Sequence, residues 1–231
     1  MSAGSQTCGY VLAVTGFRVE ARIAERSPQT QAVAGGGDAV RLDRLIENAI
    51  NANCRGVISF GMAAGLKGNL VSGTCFIGRE IAYGSERISA DEEWAARLMV
   101  RLGNAYLAVI AGVDKPLIEP SQKRALYEAT GAAAADMESH VAARVAAGRR
   151  LPFAAVRIVA DPADRALPPA ALAGMRADGR TDPAQVLLSV GRDPSQIPQL
   201  GRVAADALRA YSALLRCHRR LGPGLGLIDL S

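Results

Sequence analysis

Aromatic side chains make up only 4% of this 231-residue chain, histidine occurs twice and cysteine four times. With His140 and His218 as the whole histidine complement, neither a His-built metal centre nor a Ser–His–Asp triad is expected, and no metal is assigned. Cys8, Cys54, Cys75 and Cys217 show no CxxC spacing. Cys54 and Cys75 lie in or beside apolar runs, so the four read as reduced structural thiols of a cytoplasmic protein. No apolar run approaches the ~18 residues that a spanning helix needs. The N-terminus lacks the basic region of a secretory signal, and Tyr10–Thr15 reads as a first strand. A Lys/Arg run interleaved with aromatics is missing too. The net charge of +5 is carried mostly by arginines spread along the chain, so nucleic acid is not an expected partner, whereas an anionic substrate or a phosphate co-substrate fits.

What is present is a chain 49% apolar, rich in Ala and Gly, and long enough for one sizeable α/β domain. Short apolar runs alternate with helical patterns. Strands are expected at Tyr10–Thr15, Gly56–Phe60 (breaking into Gly61-Met62-Ala63-Ala64-Gly65), Thr74–Tyr83, Tyr106–Val113 and Phe153–Val159. Helices are expected at Arg41–Ala52, with Leu42, Leu45, Ile46 and Ala49 on one face, at Asp91–Leu102, and from Asp136 to about Ala147. Pro168-Pro169 suits a helix start. Arg202–Leu215 reads as a closing helix with Val203, Ala207, Leu208, Tyr211 and Leu215 inward. The expected architecture is a single α/β domain over residues 1–220, a central mixed sheet flanked by helices, followed by an apolar, Gly-rich tail at 221–231. That tail is open to docking on the body, to fraying, or to peripheral membrane contact.

Two acids stand out. Glu138, within Asp136-Met137-Glu138-Ser139, falls in the opening turn of a helix, where the dipole favours a carboxylate whatever its task. Asp161 ends a run that is apolar from 153 to 160 apart from Arg157, which suggests a central strand with an acid at its carboxyl end. In open α/β sheets that edge is where ligands collect. Three Gly-containing segments also follow strands, at Gly16, at Gly35-Gly36-Gly37 and at Gly61 to Gly65. None is a dinucleotide fingerprint or a P-loop, so no nucleotide cofactor is indicated. Arg18 and Arg22 beside the first loop are available to an anion, although surface arginines are usually solvated.

Asp136-Met137-Glu138-Ser139 followed by Leu151-Pro152-Phe153-Ala154-Ala155-Val156-Arg157-Ile158-Val159-Ala160-Asp161 resembles the signature of the nucleoside phosphorylase and nucleosidase superfamily. The glycine segments agree in order and approximate spacing, so the likeness covers most of residues 10 to 215. Within the superfamily, Thr15-Gly16-Phe17-Arg18-Val19-Glu20-Ala21 looks most like the hopanoid-associated phosphorylases. The resemblance implies cleavage of a purine N-glycosidic bond by phosphate or water, with no cofactor beyond phosphate as a co-substrate. It implies release of adenine, adenosylhopane as substrate within hopanoid biosynthesis, and a homo-oligomer, with a dimer favoured. It assigns Asp161 to protonation of the purine, Glu138 to the ribose hydroxyls, Met137 to the sugar face, Phe153 to the neighbourhood of the base, and Gly61 with Met62 to substrate binding. Gly16 and Arg18 fall to the loop that holds the nucleophile, and Glu20 to the catalytic base of hydrolytic members; a solvated helix glutamate is the plain alternative for Glu20. Met62 departs from the superfamily pattern, which has a hydroxyl residue there, and this puts the anion site in doubt. Ala166–Met175, apolar, suits either a groove for a 5′ substituent or a buried helix.

The chemistry is consistent in physical terms. Glycosidic cleavage builds positive charge on the sugar, so an anion beneath the ribose and an acid at the leaving group are an economical pair. Two rival readings are a hydrolytic nucleosidase of methylthioadenosine or S-adenosylhomocysteine type, and a nucleoside-binding protein that keeps the acids without catalysis.

Overall fold

The structure, a computed structural model, describes residues 9–174, 176 and 178–227. Among the described residues the strands are β1 (Tyr10–Thr15), β2 (Thr30–Ala34), β3 (Cys54–Gly65), β4 (Cys75–Tyr83), β5 (Glu86–Ser89), β6 (Tyr106–Gly112), β7 (Ala134–Asp136) and β8 (Phe153–Asp161). The helices are α1 (Arg18–Ala24), α2 (Ala39–Ala49), α3 (Glu92–Leu102), α4 (Pro120–Thr130), α5 (Ser139–Arg149), α6 (Pro169–Ala173), α7 (Pro183–Arg192) and α8 (Ile197–Leu221).

The strands form one mixed sheet in a single α/β domain. Five pairs are parallel: β1 with β2 and β3, β3 with β8, and β6 with β4 and β7. Three are antiparallel: β3 with β7, and β4 with β5 and β8. The pairings β3–β8–β4–β6–β7–β3 return on themselves, so the centre is a closed ring of strands with β1 and β2 extending one side. Along β8, Phe153 and Ala155 join one core while Ala154, Val156 and Ile158 join another. Buried layers on both faces explain why β8 reads as a continuous apolar run rather than an alternating one.

Several expectations need correction. Gly56–Phe60 is only part of β3, which continues through Gly61 to Gly65 because β8 and then β7 supply partners from Val57 onward. The closing helix is longer than Arg202–Leu215, and Leu208 is 67% exposed, whereas Ala210, Ala213 and Leu214 are buried. Of the tail expected at 221–231, residues 222–227 take the docked alternative and pack on the body. Leu225 is buried in the main core, and its carbonyl accepts a hydrogen bond from the Trp94 indole (3.2 Å). Residues 228–231, Cys8 and Met175 lie outside the described residues. Helices α4 and α7 carry no apolar stripe that buries: α7 has no buried residue and α4 buries only Lys123. No helix among the described residues is long and apolar enough to cross a membrane.

Candidate active site

The carboxyl ends of β1, β7 and β8 and the second half of β3 converge on a cavity of about 250 Å³. Its walls include Glu20, Met62, Met137, Glu138 and Asp161, so the two acids singled out from sequence open onto one shared space.

At one end three buried acids surround one arginine. Arg157 is wholly buried in β8, paired in register with Gly61 of β3. Its guanidinium lies 3.0 Å from Asp136 Oδ2 and 3.4 Å from Glu138 Oε2, donates to the Met62 carbonyl (3.2 Å) and contacts the Ser59 hydroxyl. Asp136 is fully engaged. Its Oδ1 accepts the backbone N–H groups of Glu138 (2.9 Å) and Ser139 (2.6 Å), and its Oδ2 accepts the Ser139 hydroxyl (2.6 Å). It therefore holds the start of α5, with Glu138 at the N-cap, in one orientation. Glu138 is left with Arg157 at longer range. Burial above all, with help from Asp136 and Glu20 and against the pull of Arg157, pushes its carboxyl up to about 8.

Glu20 is not a solvated helix residue; it is 1% exposed. One oxygen accepts the N–H groups of Gly16 (3.0 Å) and Phe17 (2.8 Å), and the other accepts Met62 N–H (2.7 Å). The bonds from Gly16 and Phe17 come from its place at the third position of α1, where a glutamate reaches back to the helix start. The Met62 bond is tertiary. It is allowed because Gly61 has no side chain: a Cβ there would stand 2.8 Å from the Glu20 carboxyl. Gly16 works likewise against Glu138, whose Oε1 would be 3.0 Å from an added Cβ. Burial pushes the Glu20 carboxyl up, while the Phe17 N–H, Arg157 and the Met62 and Gly16 N–H groups hold it back. A carboxylate has about four acceptor positions, so three bonds leave room for one further donor.

At the other end Asp161 Oδ2 lies 2.6 Å from Lys123 Nζ. Lys123 is completely buried, and its ammonium also donates to the carbonyls of Pro162 (2.9 Å) and Arg165 (2.7 Å). Burial pushes the Asp161 carboxyl up and Lys123 pulls it down, the first effect being larger.

Two residues assigned from sequence stand elsewhere. Phe153 opens β8 at the end opposite Asp161, eight residues at about 3.3 Å each, or about 26 Å away. It is 4% exposed and packs in the core, because an apolar ring at the start of a central strand is buried between helices. Arg18 turns outward: its Nε donates to the Asp178 carbonyl (3.1 Å) and its backbone N–H to that of Gly179 (2.9 Å). It latches the 178–179 turn over the Gly16 loop instead of facing an anion. Gly16, Met62 and Met137 line the cavity, and Gly61 lies behind Met62. Sequence reasoning missed Lys123, and also Arg176 at the rim, paired with Asp178 and Asp182. It noticed Arg157 without partners; a lone charge in a buried strand was itself the signal that acids must meet it. No cluster of metal-binding side chains occurs among the described residues.

A family model described as the phosphorylase superfamily matches residues 37–190. The chain belongs to the phosphorylase superfamily. That membership makes it a nucleoside-cleaving enzyme, an N-glycosyl hydrolase or a glycosyltransferase. No curated protein matches the chain. Solved structures share the phosphorylase-superfamily fold at low identity. A Streptococcus pneumoniae MTA/SAH nucleosidase in complex with 8-aminoadenine aligns at TM-score 0.65 and 14% identity, over 92% of this chain and 100% of that one. The futalosine hydrolase of Helicobacter pylori aligns at TM-score 0.62 and 16% identity, over 82% and 100%. The H. pylori MTA/SAH nucleosidase with butyl-thio-DADMe-Immucillin-A aligns at 0.62 and 14%, over 90% and 99%.

Proposed function

We propose that this enzyme hydrolyses the N-glycosidic bond of an adenine nucleoside bearing an apolar 5′ substituent, with water as the nucleophile. The observation that carries the choice of water is the seat of Glu20. The N–H groups of Gly16, Phe17 and Met62, the donors at the loop from which a phosphate would be expected to draw, already hold a carboxylate of the chain itself. A buried carboxylate with one free acceptor position suits a base that takes a proton from water. A phosphate dianion at the same place would face Glu20 and Glu138 without Arg18 to offset it.

The other roles follow from charge. As the bond to the base stretches, the ribose gains positive charge, and the oxygens of Glu138, fixed beside Arg157 at the start of α5, are set to stabilise that charge without reorganising. Asp161, raised by burial, is the group to protonate the departing base, with Lys123 fixing its carboxyl. The outer wall, Val113, Pro116, Leu117, Leu167, Val203 and Ala207, is apolar and supports a hydrophobic 5′ group. Adenosylhopane is the substrate of that kind which the sequence resemblance implies. Adenine as the leaving base is supported by the adenine-type ligands named for the structural neighbours.

Adenosine, methylthioadenosine and an alkyl-substituted 5′-adenosine are each to be incubated with the enzyme, with and without phosphate. Free adenine from the alkyl substrate at the same rate in both conditions is expected. Release that requires phosphate would overturn the choice of nucleophile, and preference for unsubstituted adenosine would overturn the apolar group.

A further inference from the structure

Further along α8 than the residues it gives to the substrate cavity, the sulfurs of Cys75 and Cys217 lie 3.7 Å apart. Cys75 opens β4 and Cys217 sits in the last third of α8, so 142 residues separate them in sequence. Neither thiol is used by the chemistry above. Cys75 is 7% exposed, while Cys217 is half-buried, and both line an open groove of about 680 Å³ together with Arg216 and Arg220. The two thiols differ in character. The hydrogen bond between them, with burial, holds the Cys75 thiol far up, and the same bond, with Arg216 and Arg220 nearby, holds the Cys217 thiol down. A more acidic, accessible thiol next to a protonated, sheltered one is the division of labour of an attacking and a resolving cysteine.

We infer that Cys75 and Cys217 form a reversible disulfide, made by a peroxide that enters the arginine-lined groove and clamping α8 onto β4. The Cys217 thiolate attacks one peroxide oxygen. The S–O bond forms as the O–O bond breaks, and the leaving oxygen takes a proton as water or alcohol. Cys75 then attacks the Cys217 sulfur; the S–S bond forms, the S–O bond breaks, and the hydroxide leaves as water with the Cys75 proton. Two sulfurs are oxidised by one electron each and one peroxide is reduced by two. The sulfurs must close from 3.7 Å to about 2.05 Å, a movement within reach of side-chain rotation. The clamp bears on the substrate cavity because the same helix supplies Val203 and Ala207 to its wall. The helix also carries Asp206, which pairs with Arg165 and accepts the Ser72 hydroxyl on its carbonyl (2.5 Å).

The test titrates the reduced full-length protein with hydrogen peroxide, counts free thiols with a maleimide, and maps disulfide-linked peptides. Loss of two of the four thiols, a single peptide pair joining positions 75 and 217, and recovery with dithiothreitol are expected. The oxidised protein should melt higher by about 5–10 °C, since the bridge closes a long loop. In Cys75→Ser the attack should stop at a sulfenic acid on Cys217, captured by a 1,3-diketone, and this readout does not depend on the wild-type melting point. Cys54→Ser should oxidise as the wild type does. Overoxidation of Cys217 while Cys75 stays free, pairing of either with Cys8 or Cys54, or no thiol loss under peroxide that oxidises free cysteine would overturn the inference.

Discussion

The two ends of the cavity balance buried charge in opposite ways. Around Arg157, acids outnumber bases: Asp136, Glu138 and Glu20 share one guanidinium, and only Asp136 has its oxygens saturated by local donors. Around Asp161 one close ion pair with Lys123 dominates, with Arg165 and Asp164 acting at longer range, and the Lys123 ammonium is also held by the carbonyls of Pro162 and Arg165. The crowded end is built to welcome positive charge, because the site is short of it. The paired end is built to hold one proton at a chosen place. A glycosidic transition state needs both, an electropositive sugar and a base about to be protonated, and the cavity sets them at separate poles.

The largest expected effect comes from emptying the crowded end. Arg157→Met leaves buried carboxylates without their cation, and should cost about 3–5 kcal/mol of stability, read from urea unfolding. A loss under 1 kcal/mol would mean the acids are not paired through it. At the opposite pole, Asp161→Asn keeps the shape and removes the transferable proton; adenine release by the folded fraction should fall by about 10²–10⁴-fold, beyond the stability lost when buried Lys123 loses its counter-ion. Near-normal turnover would remove Asp161 from the chemistry.

A finer comparison uses Lys123→Met. Losing the cation removes the influence that favours ionised Asp161, so its pKa rises. Activity that needs the protonated form is lost as pH climbs through that pKa, so the alkaline limb of the pH–rate profile should move to higher pH. A limb that stays put, or moves down, would show that Lys123 does not set the proton on Asp161.

A last comparison concerns stability against pH. Glu138 titrates near 4.5 when unfolded and about 8 when folded. Between those values the folded state binds the extra proton, so the contribution of Glu138 to stability is fully present below about pH 4.5 and is lost as pH rises to about 8. Urea midpoints for Glu138→Gln should show a shallower decline over that window than the wild type.

How much was legible in the sequence differs between the same two poles. Phe153 to Asp161 is readable as a buried strand ending in an acid because its apolar run is unbroken except for Arg157. Asp136 preceding a helix is readable because a short acid there can cap it. Lys123 left no local mark. It stands among Ser121, Gln122 and Arg124, where a lysine looks like solvent-facing charge, and only the tertiary closeness of α4 to residues 161–165 buries it. Phe153 was misplaced for a related reason: a motif gives the order of residues, while strand geometry decides which end of the sheet each reaches. Arg18 was misjudged because its partner, Asp178, is 160 residues away.

Gly61 bears on how such a pocket could change trade. Seen from the loop, Glu20 is a tethered guest in a three-pronged N–H socket, admitted only because the neighbouring strand withholds a side chain. Glu20→Gly would leave that socket vacant for a free anion of similar size, and added formate should then restore part of the lost turnover. Rescue that fails while formate binds would mean the socket recognises anions without putting them to use.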